Sequence, residues 1–155
     1  MANIDIARAG DADIATVREL LEEYAAALSV DLGFQQFGRE LTELPGDYAP
    51  PGGALFVARR GAEPIGCVAL RSLDERTCEL KRLYVRPRAR GGGTGRALTE
   101  AALAEARRLG NRRVLLDTLP GMDAAQRLYV ELGFRDVAPY RPNPVEGARF
   151  LELVL

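Results

Sequence analysis

The sequence predicts one α+β domain, in which a mixed, mostly antiparallel central sheet is flanked by helices. The chain has 155 residues, and single domains commonly contain roughly 100 to 200. Strand-like and helix-like patterns alternate along it without repeats. Three strand patterns also follow one another in the middle of the chain, and an antiparallel meander is the simplest way to pair them. We therefore predict a single domain over residues 1–155.

The first third of the chain predicts a strand and two helices. Apolar and polar residues alternate in "NIDIARA" (3–9), as in a half-buried strand. Apolar residues then recur at helical spacing, at Ile14, Val17, Leu21, Tyr24 and Leu28. The stretch "FQQFGRELTEL" (34–44) predicts a second, weaker helix. The proline- and glycine-rich "PGDYAPPGG" that follows predicts a loop.

The remainder predicts three consecutive strands, then a helix, a strand, a second helix and a last strand. The strand patterns are "ALFVARR" (54–60), "PIGCVAL" (64–70), "CELKRLYV" (78–85), "RRVLLDT" (112–118) and "FLELVL" (150–155). One helix follows Gly95 and should end at Gly110, and the other is "DAAQRLYVEL" (123–132), which Gly133 ends. The two kinds of element are thus interleaved in the second half.

Composition excludes several classes of function. The net charge of -1 gives no overall basic field, so we expect no nucleic-acid partner. Histidine is absent, which removes histidine triads, histidine-ligated zinc and a histidine base, and we expect no metal. The first residues contain no apolar run of a secretory or membrane-spanning kind. We therefore expect a cytoplasmic protein without a membrane partner, whose Cys67 and Cys78 are core thiols.

The stretch "RARGGGTGRAL" (88–98) carries the first functional signal. Four glycines between an arginine-rich loop and a helix start leave backbone N–H groups uncovered at the positive end of the helix dipole. Arg88, Arg90 and Arg96 add donors, and with Arg82 and Arg86 they indicate a local anion site. A diphosphate suits such a cradle. A flexible loop with solvated arginines explains the glycines alone about as well.

Two well-known phosphate-binding motifs do not fit this loop. A P-loop requires GxxxxGK[ST], and the chain has no lysine followed by serine or threonine. A dinucleotide fingerprint requires GxGxxG after the first strand, whereas the frame at Gly93 and Gly95 lacks the third glycine and lies late in the chain. Nucleotide hydrolysis and dinucleotide binding are therefore disfavoured.

Two motifs in the right order resemble those of the GNAT superfamily of acetyl-CoA-dependent N-acetyltransferases. Arg90, Gly93 and Gly95 form R-x-x-G-x-G between a strand and a helix, as in that family's coenzyme A loop. "AAQRLYVELGF" (124–134) is similar to its A-x-x-L-Y-x-x-x-G-F segment. The resemblance covers nearly the whole chain. It implies a GNAT-like sheet in which strand 77–85, before the loop, splays away from its neighbour.

The resemblance also implies how acetyl-CoA, the cosubstrate, is bound. Leu83 and Val85 should offer backbone groups to the pantetheine arm. Around the pyrophosphate the family pattern places Arg90, Gly91, Gly93, Gly95 and Arg96. The acetyl thioester would then point at the middle of the sheet.

The same resemblance implies two catalytic residues, Tyr129 and Glu79. Tyr129 is the tyrosine of the second motif, which often protonates the departing thiolate in similar enzymes. Glu79 lies eleven residues before Arg90, where some members carry a glutamate that acts as the base, directly or through water. The alternatives are a tyrosine that only packs and a glutamate that is only paired with Lys81 or Arg82.

The acceptor side is less defined by the sequence. The family often has asparagine three residues before the alanine of its last motif, where this chain has Met122. Rings and amides in the variable segments could line a small pocket or equally pack in the core: Tyr24, Phe34, Gln35, Gln36, Phe37, Tyr48 and Tyr140.

Three readings of function therefore stay open. The first is an enzyme that acetylates a primary amine of a small molecule or amino acid by direct attack on the thioester. The others are a silent acyl-CoA-binding regulatory module and an acetyltransferase for protein termini or lysines. A homodimer is also possible, because the edge of "FLELVL" needs a cover, from a partner or from its own chain.

Overall fold

The computed structural model describes residues 3–28 and 30–155, without the side chain of Phe34, and within them forms one seven-stranded sheet and four α-helices. The strands are β1 (Ile4–Arg8), β2 (Ala54–Arg60), β3 (Glu63–Asp74), β4 (Thr77–Val85), β5 (Arg113–Thr118), β6 (Arg135–Asp136) and β7 (Arg149–Val154). The helices are α1 (Ile14–Ala27), α2 (Phe37–Glu43), α3 (Thr94–Arg108) and α4 (Asp123–Glu131).

The sheet has the strand order β1-β2-β3-β4-β5-β7-β6. Every pair is antiparallel except β4 with β5, which confirms the mixed, mostly antiparallel α+β sheet. The two-residue β6 was not predicted, because alternation cannot be recognised in so short a strand. It pairs with Leu151 and Glu152 on one side of β7, and β5 pairs along the other side, so the chain itself covers one edge of "FLELVL" and part of the other. The homodimer stays a prediction.

The strands β4 and β5 separate after a short parallel pairing. Thr77, Cys78 and Glu79 pair with residues 113–115, and the described backbone of β4 beyond Glu79 has no ladder with β5. We call this V-shaped gap the fork. The strand predicted to splay over 77–85 does so, and it carries the chain directly into the glycine-rich loop.

A β-bulge in β4 determines which side chains of this strand face α2 and the segment before it. Lys81 pairs with Ala69 and Tyr84 with Cys67, so β4 holds one extra residue, and Arg82 has a φ of 60°. Such an extra residue shifts the side-chain alternation of the strand. As a result Lys81 and Arg82 both contact the region before and in α2, Lys81 through Gln35 and Arg82 through Glu40.

Apolar packing covers both faces of the sheet. One cluster joins α3 and α4 to the sheet, around Leu98, Leu116 and Leu151, and the other joins α1, around Leu20 and Leu21. Both cysteines are buried free thiols, as predicted. None of the described helices is both long enough and apolar enough to cross a membrane.

Candidate active site

A cavity of about 680 Å³ extends from the glycine-rich loop into the fork. That volume lies in the range of small-molecule sites, about 300 to 1,000 Å³. The walls come from the end of β4, the start of α3, the β5–α4 connection, α4 and the end of α1. Elements distant in sequence therefore meet around one chamber, because β4 and β5 separate there.

The glycine-rich loop forms the outer wall of this cavity. Gly91 and Gly93 have φ values of +86° and +82°, in the left-handed region that favours glycine. Gly93 is the residue before α3, whose first N–H groups lack partners within the helix. A Cβ at Gly95 would meet Val85 and Leu128 at 3.8 and 3.9 Å, so a larger side chain there would narrow the cavity.

Thr94 is a cradle residue that sequence reasoning missed. It lines the cavity and is 1% exposed, and its Oγ1 is buried without a hydrogen-bond partner. A buried, unpaired hydroxyl is costly unless a ligand completes it. Its signal was visible as the hydroxyl residue between Gly93 and Gly95. Together with the open helix terminus, it fits the oxygen-rich pyrophosphate of coenzyme A.

Most of the five arginines predicted to make a shared anion site have carboxylate partners in the described structure. Four are held by carboxylates: Arg82 by Glu40, Arg86 by Glu23 and Glu19, Arg88 by Glu63, and Arg96 by Glu100 and Glu131. Within the described residues, Arg90 is the one of the five that no carboxylate holds. Its Nε donates to the Val85 carbonyl at 2.9 Å and ties the loop to β4. Arg90 is thus the cation left for the cavity.

The other residues predicted to contact the cosubstrate are placed as follows. Leu83, Val85, Arg90, Gly91, Gly93 and Gly95 line the cavity. Arg96 does not belong to the lining. The two β4 residues lie beyond the last β4–β5 pair, where the strand edge facing β5 is open in the described structure. Whether these groups bind coenzyme A stays a prediction.

Tyr129 lies on α4 at the inner end of the fork. It is 5% exposed and packs against Phe134 at a ring-centroid distance of 5.5 Å. Burial raises the pKa of Tyr129, so its hydroxyl stays protonated. A tyrosine with a raised pKa is well suited to donate a hydrogen bond to a developing thiolate, and less suited to give up its proton completely.

A second cavity, of about 30 Å³, lies at the inner end of the fork beside Tyr129. It shares four lining residues with the large cavity: Tyr24, Leu83, Leu119 and Met122. Lys81, Arg82, Asp117 and Gln35 also line it. The small cavity therefore lies next to the large cavity, beside polar side chains of β4 and β5.

Glu79 lies at the last paired position of the fork and is fully buried. Its Oε1 accepts from Arg71 Nε at 2.7 Å, and its Oε2 accepts from the Tyr140 hydroxyl and lies 3.2 Å from Arg141 Nη2. The expected partners were Lys81 and Arg82, but Lys81 is 3.9 Å away and Arg82 binds Glu40. The main partners come from β3 and the β6–β7 connection.

The β6–β7 connection, residues 137–148, closes the base of the fork. Arg141 Nη2 donates to Asp117 Oδ1 at 3.1 Å, and Asn143 Nδ2 donates to Asp117 Oδ2 at the same distance. Both oxygens of Glu79 and both of Asp117 are therefore occupied. Sequence reasoning could not find these partners, because they lie in a segment without periodic structure.

The residues predicted for the acceptor pocket divide into several roles. Tyr24 and Gln35 line the small cavity, whereas Phe37 and Tyr48 are buried in the core. Tyr140 binds Glu79. Gln36 is exposed before α2, and the side chain of Phe34 lies outside the described part of the structure. Met122, which replaces the asparagine expected of the family, lines both cavities with an apolar chain.

Comparison with known proteins agrees with this geometry. Residues 16–134 match the model of the Acetyltransferase (GNAT) family. An uncharacterised N-acetyltransferase of Schizosaccharomyces pombe is 36% identical over 143 residues, 91% of this chain and 88% of that one. The IAA acetyltransferase of Azospirillum brasilense is 38% identical over 151 residues, 94% and 95% of the two chains.

A solved structure shares the fold at lower identity. The PaiA N-acetyltransferase of Thermoplasma acidophilum, determined in complex with coenzyme A, superposes with a TM-score of 0.75 at 18% identity over 99% of both chains. The family match and the sheet that opens between β4 and β5 agree in assigning the chain to the acyltransferases. It belongs to the Acetyltransferase (GNAT) family and is an acetyl-CoA-dependent N-acetyltransferase.

Proposed function

We propose that this enzyme transfers acetyl from acetyl-CoA to a primary amine of a small molecule or amino acid, by direct attack of the amine on the thioester. The main support is that the small cavity beside Tyr129 lies next to the large cavity, between β4 and β5, and shares four lining residues with it. An amine and a thioester that enter from the two sides would meet there. Holding both reactants in one geometry removes much of the entropic barrier.

The cradle residues would hold the cosubstrate before any chemistry. The N–H groups at the start of α3 and the Thr94 hydroxyl would bind the pyrophosphate, with Arg90 as the nearby cation. Bound acetyl-CoA supplies the activated acetyl group. The open edge of β4 at Leu83 and Val85 would align the pantetheine arm along the fork.

Tyr129 is proposed as the residue that stabilises the leaving thiolate. Its hydroxyl is protonated, buried and at the inner end of the fork, where the sulfur of an aligned thioester would lie. A preorganised donor at the atom where charge develops stabilises the transition state more than the ground state. The departing thiolate then takes a proton from this hydroxyl, which water reprotonates, or directly from water beside it.

The role of Glu79 as the base stays a prediction, and its contacts define how it would act. Three donors already engage the carboxylate, so it would take the proton of the amine through a bridging water or after one donor moves. The same contacts give it a positioning role, because Glu79 holds Arg141 and Tyr140 against the base of the fork. Loss of either function would slow turnover.

A small acceptor is favoured over a protein by the β6–β7 connection. Residues 137–148 lie across the base of the fork and are tied to Glu79 and Asp117. A protein terminus or lysine needs an open groove that admits extended chain. A silent binding module is disfavoured, because it would not need a buried hydroxyl at the inner end of the fork.

The test is a panel of primary amines, amino acids and a lysine-containing peptide with purified protein and acetyl-CoA, read as thiol release. We expect at least one small amine or amino acid to be acetylated at a rate well above hydrolysis, with mass spectrometry showing the N-acetyl product. Acetylation of the peptide alone would contradict the small acceptor. Tight acetyl-CoA binding without transfer to any acceptor would support the silent module.

A further inference from the structure

Lys81 is the only lysine in the sequence, and it is buried at the reaction centre. All other basic side chains are arginines, which are ionised at any ordinary pH. The Lys81 side chain is 5% exposed and lines the small cavity with Tyr129. Buried lysines are uncommon unless a counter-charge pairs with them.

Among the described residues, no carboxylate lies within hydrogen-bonding distance of the Lys81 ammonium group. Its Nζ is 3.2 Å from Gln35 Oε1, a neutral acceptor, and 3.9 Å from Glu79 Oε1, an oxygen that already accepts from Arg71. Asp117, the other carboxylate lining the cavity, is bound by Arg141 and Asn143. Lys81 is therefore a buried cation whose neighbouring acids have other partners.

The charge of Lys81 is destabilised in the protein alone. Burial, and then the neighbouring Arg82 guanidinium, lower the pKa of Lys81 to about 7. An anion in the small cavity would supply the missing counter-charge and favour the ammonium form. The cavity has about 30 Å³, enough for about two water molecules, and a carboxylate of similar size could replace them.

We propose that the acceptor is an amino acid, whose carboxylate binds Lys81 in the small cavity while its amine faces the fork. Because Lys81 and Tyr129 line the same small cavity, a carboxylate close to the nitrogen would let one molecule reach both. The side chain of the acceptor would extend into the part of the large cavity lined by Val30 and Val145. This inference rests on the proposed function and names the acceptor class.

Matched acceptors test it: each amino acid that is acetylated is compared with its primary amide, which keeps the amine and the shape but lacks the charge. We expect kcat/KM for the acid to exceed that for the amide by roughly 10- to 100-fold, the effect of one charge-assisted hydrogen bond. In Lys81→Met this ratio should fall close to one. In Lys81→Arg, which keeps the cation, most of the ratio should remain.

Several outcomes would overturn the inference. Equal rates on acids and amides in the wild type, or a ratio that survives in Lys81→Met, would show that Lys81 does not bind a carboxylate. Acetylation confined to amines without any carboxylate would refute it while leaving the proposed function intact. Absence of transfer to every acceptor would refute both. Thermal unfolding would confirm that each variant is folded.

A base role for Lys81 is the main competing explanation, and its titration separates the two. Because the chain has one lysine, lysine labelled with ¹⁵N at Nζ gives one side-chain signal. We expect its pKa to rise by at least one unit when the N-acetyl amino acid product binds, and not with the product amide. An unchanged pKa, together with a Lys81→Arg enzyme as inactive as Lys81→Met, would establish a base and overturn the proposal.

Discussion

The two ends of β4 differ in how many of the polar groups around them have a partner within the protein. Around residues 90–95 the protein leaves donors unpaired, such as the Thr94 hydroxyl and the N–H groups at the start of α3. Around Glu79 nearly every polar atom already has a protein partner. After their proposed roles we call the first the cosubstrate end and the second the acceptor end. The cosubstrate end leaves donors open, whereas the acceptor end is a cluster of paired charges in which Lys81 lies 3.9 Å from a Glu79 oxygen already bound by Arg71.

The two ends also differ in how the sequence specifies them. The cradle is made by the backbone of one contiguous stretch, so its residues keep a fixed spacing. The acceptor end joins Glu79 to Tyr140, which lies 61 residues away, and Lys81 to Gln35, which lies 46 residues away. Each of the following changes is aimed at one end and should leave the other largely unaffected.

The largest effect is expected at the point where the two ends meet. Tyr129→Phe removes the hydroxyl at the inner end of the fork and should lower kcat by about 10²- to 10⁴-fold, as loss of a general acid or charge-stabilising donor does. Acetyl-CoA affinity, measured by calorimetry, should change less than about threefold, because the cradle is untouched. A kcat within about threefold of wild type would remove Tyr129 from the mechanism.

The next largest effect is expected on acetyl-CoA binding at the cosubstrate end. Gly93→Val forces a β-branched residue into a φ of +82°, so the loop must rearrange and its N–H groups turn away from the cavity. We expect acetyl-CoA affinity to fall by at least about 100-fold, the loss of two or more hydrogen bonds to a charged group.

The chain offers a matched control for this change. Gly110 follows α3 with a φ of +84° and does not line the cavity, and a Cβ added there would meet no neighbouring atom within 4 Å. Gly110→Val should therefore cost similar stability and leave acetyl-CoA affinity almost unchanged. Equal affinity losses in the two variants would mean that the glycines serve folding and not the ligand.

Glu79→Gln addresses the paired end. The amide keeps the shape but leaves Arg71 and Arg141 without their shared carboxylate, so the free energy of unfolding should fall by about 3 kcal/mol in urea titrations. Turnover should fall as well. Glu105→Gln is the control, since Glu105 is also a buried carboxylate between two arginines, Arg8 and Arg108, but lies outside both cavities.

The glutamine variant at 105 should lose less stability, because Arg8 and Arg108 are 41% and 63% exposed, and it should keep wild-type turnover. If Glu79 is the base, Glu79→Gln also loses the acidic inflection of the kcat/KM profile against pH. A positioning role alone leaves the shape of that profile unchanged.

The smallest effect concerns the pH dependence of stability. Lys81 in the folded protein loses its proton near pH 7, whereas in the unfolded chain it keeps it to about pH 10. Between these values the unfolded state binds more protons, so burial of Lys81 costs most below pH 7 and less as pH rises.

In Lys81→Met no group at position 81 titrates, so this contribution to the pH dependence of stability is absent. Its stability advantage over the wild type should therefore be largest near pH 6 and shrink by roughly 1 to 2 kcal/mol by pH 9, measured by chemical unfolding at each pH. A difference between the two proteins that does not change with pH would show that Lys81 titrates normally in the folded state.

The sequence predicted the cosubstrate end better, because that end is made by one contiguous stretch of the chain. Strand 77–85 and the glycine-rich helix start after it were predicted from residues adjacent in the chain, whereas the separation of β4 from β5 was implied by the family resemblance. Thr94 was overlooked, since only burial reveals its unpaired hydroxyl. The ion pairs of Arg82, Arg86 and Arg88 were not predicted, because their carboxylates come from other elements, whereas Glu100 lies in the same helix as Arg96.

Only part of the acceptor end could be predicted from the sequence. Glu79 was implied by the family resemblance, which places a glutamate at this distance before Arg90, but its partners Arg71 and Tyr140 depend on the register of β3 with β4 and on an irregular connection. Lys81 was considered only as a partner for Glu79. Its isolation depends on Arg71 and Arg141 taking the neighbouring carboxylates, which no spacing in the sequence encodes.

The fork between β4 and β5 is the proposed reaction centre, with the glycine-rich loop at its mouth. The most direct measurement is a crystal structure of the protein with acetyl-CoA. We expect the pyrophosphate on the N–H groups of residues 93–95 and the Thr94 hydroxyl, and the thioester sulfur within hydrogen-bonding distance of the Tyr129 hydroxyl. A pyrophosphate bound elsewhere, or a thioester that does not reach the fork beside Tyr129, would contradict the account.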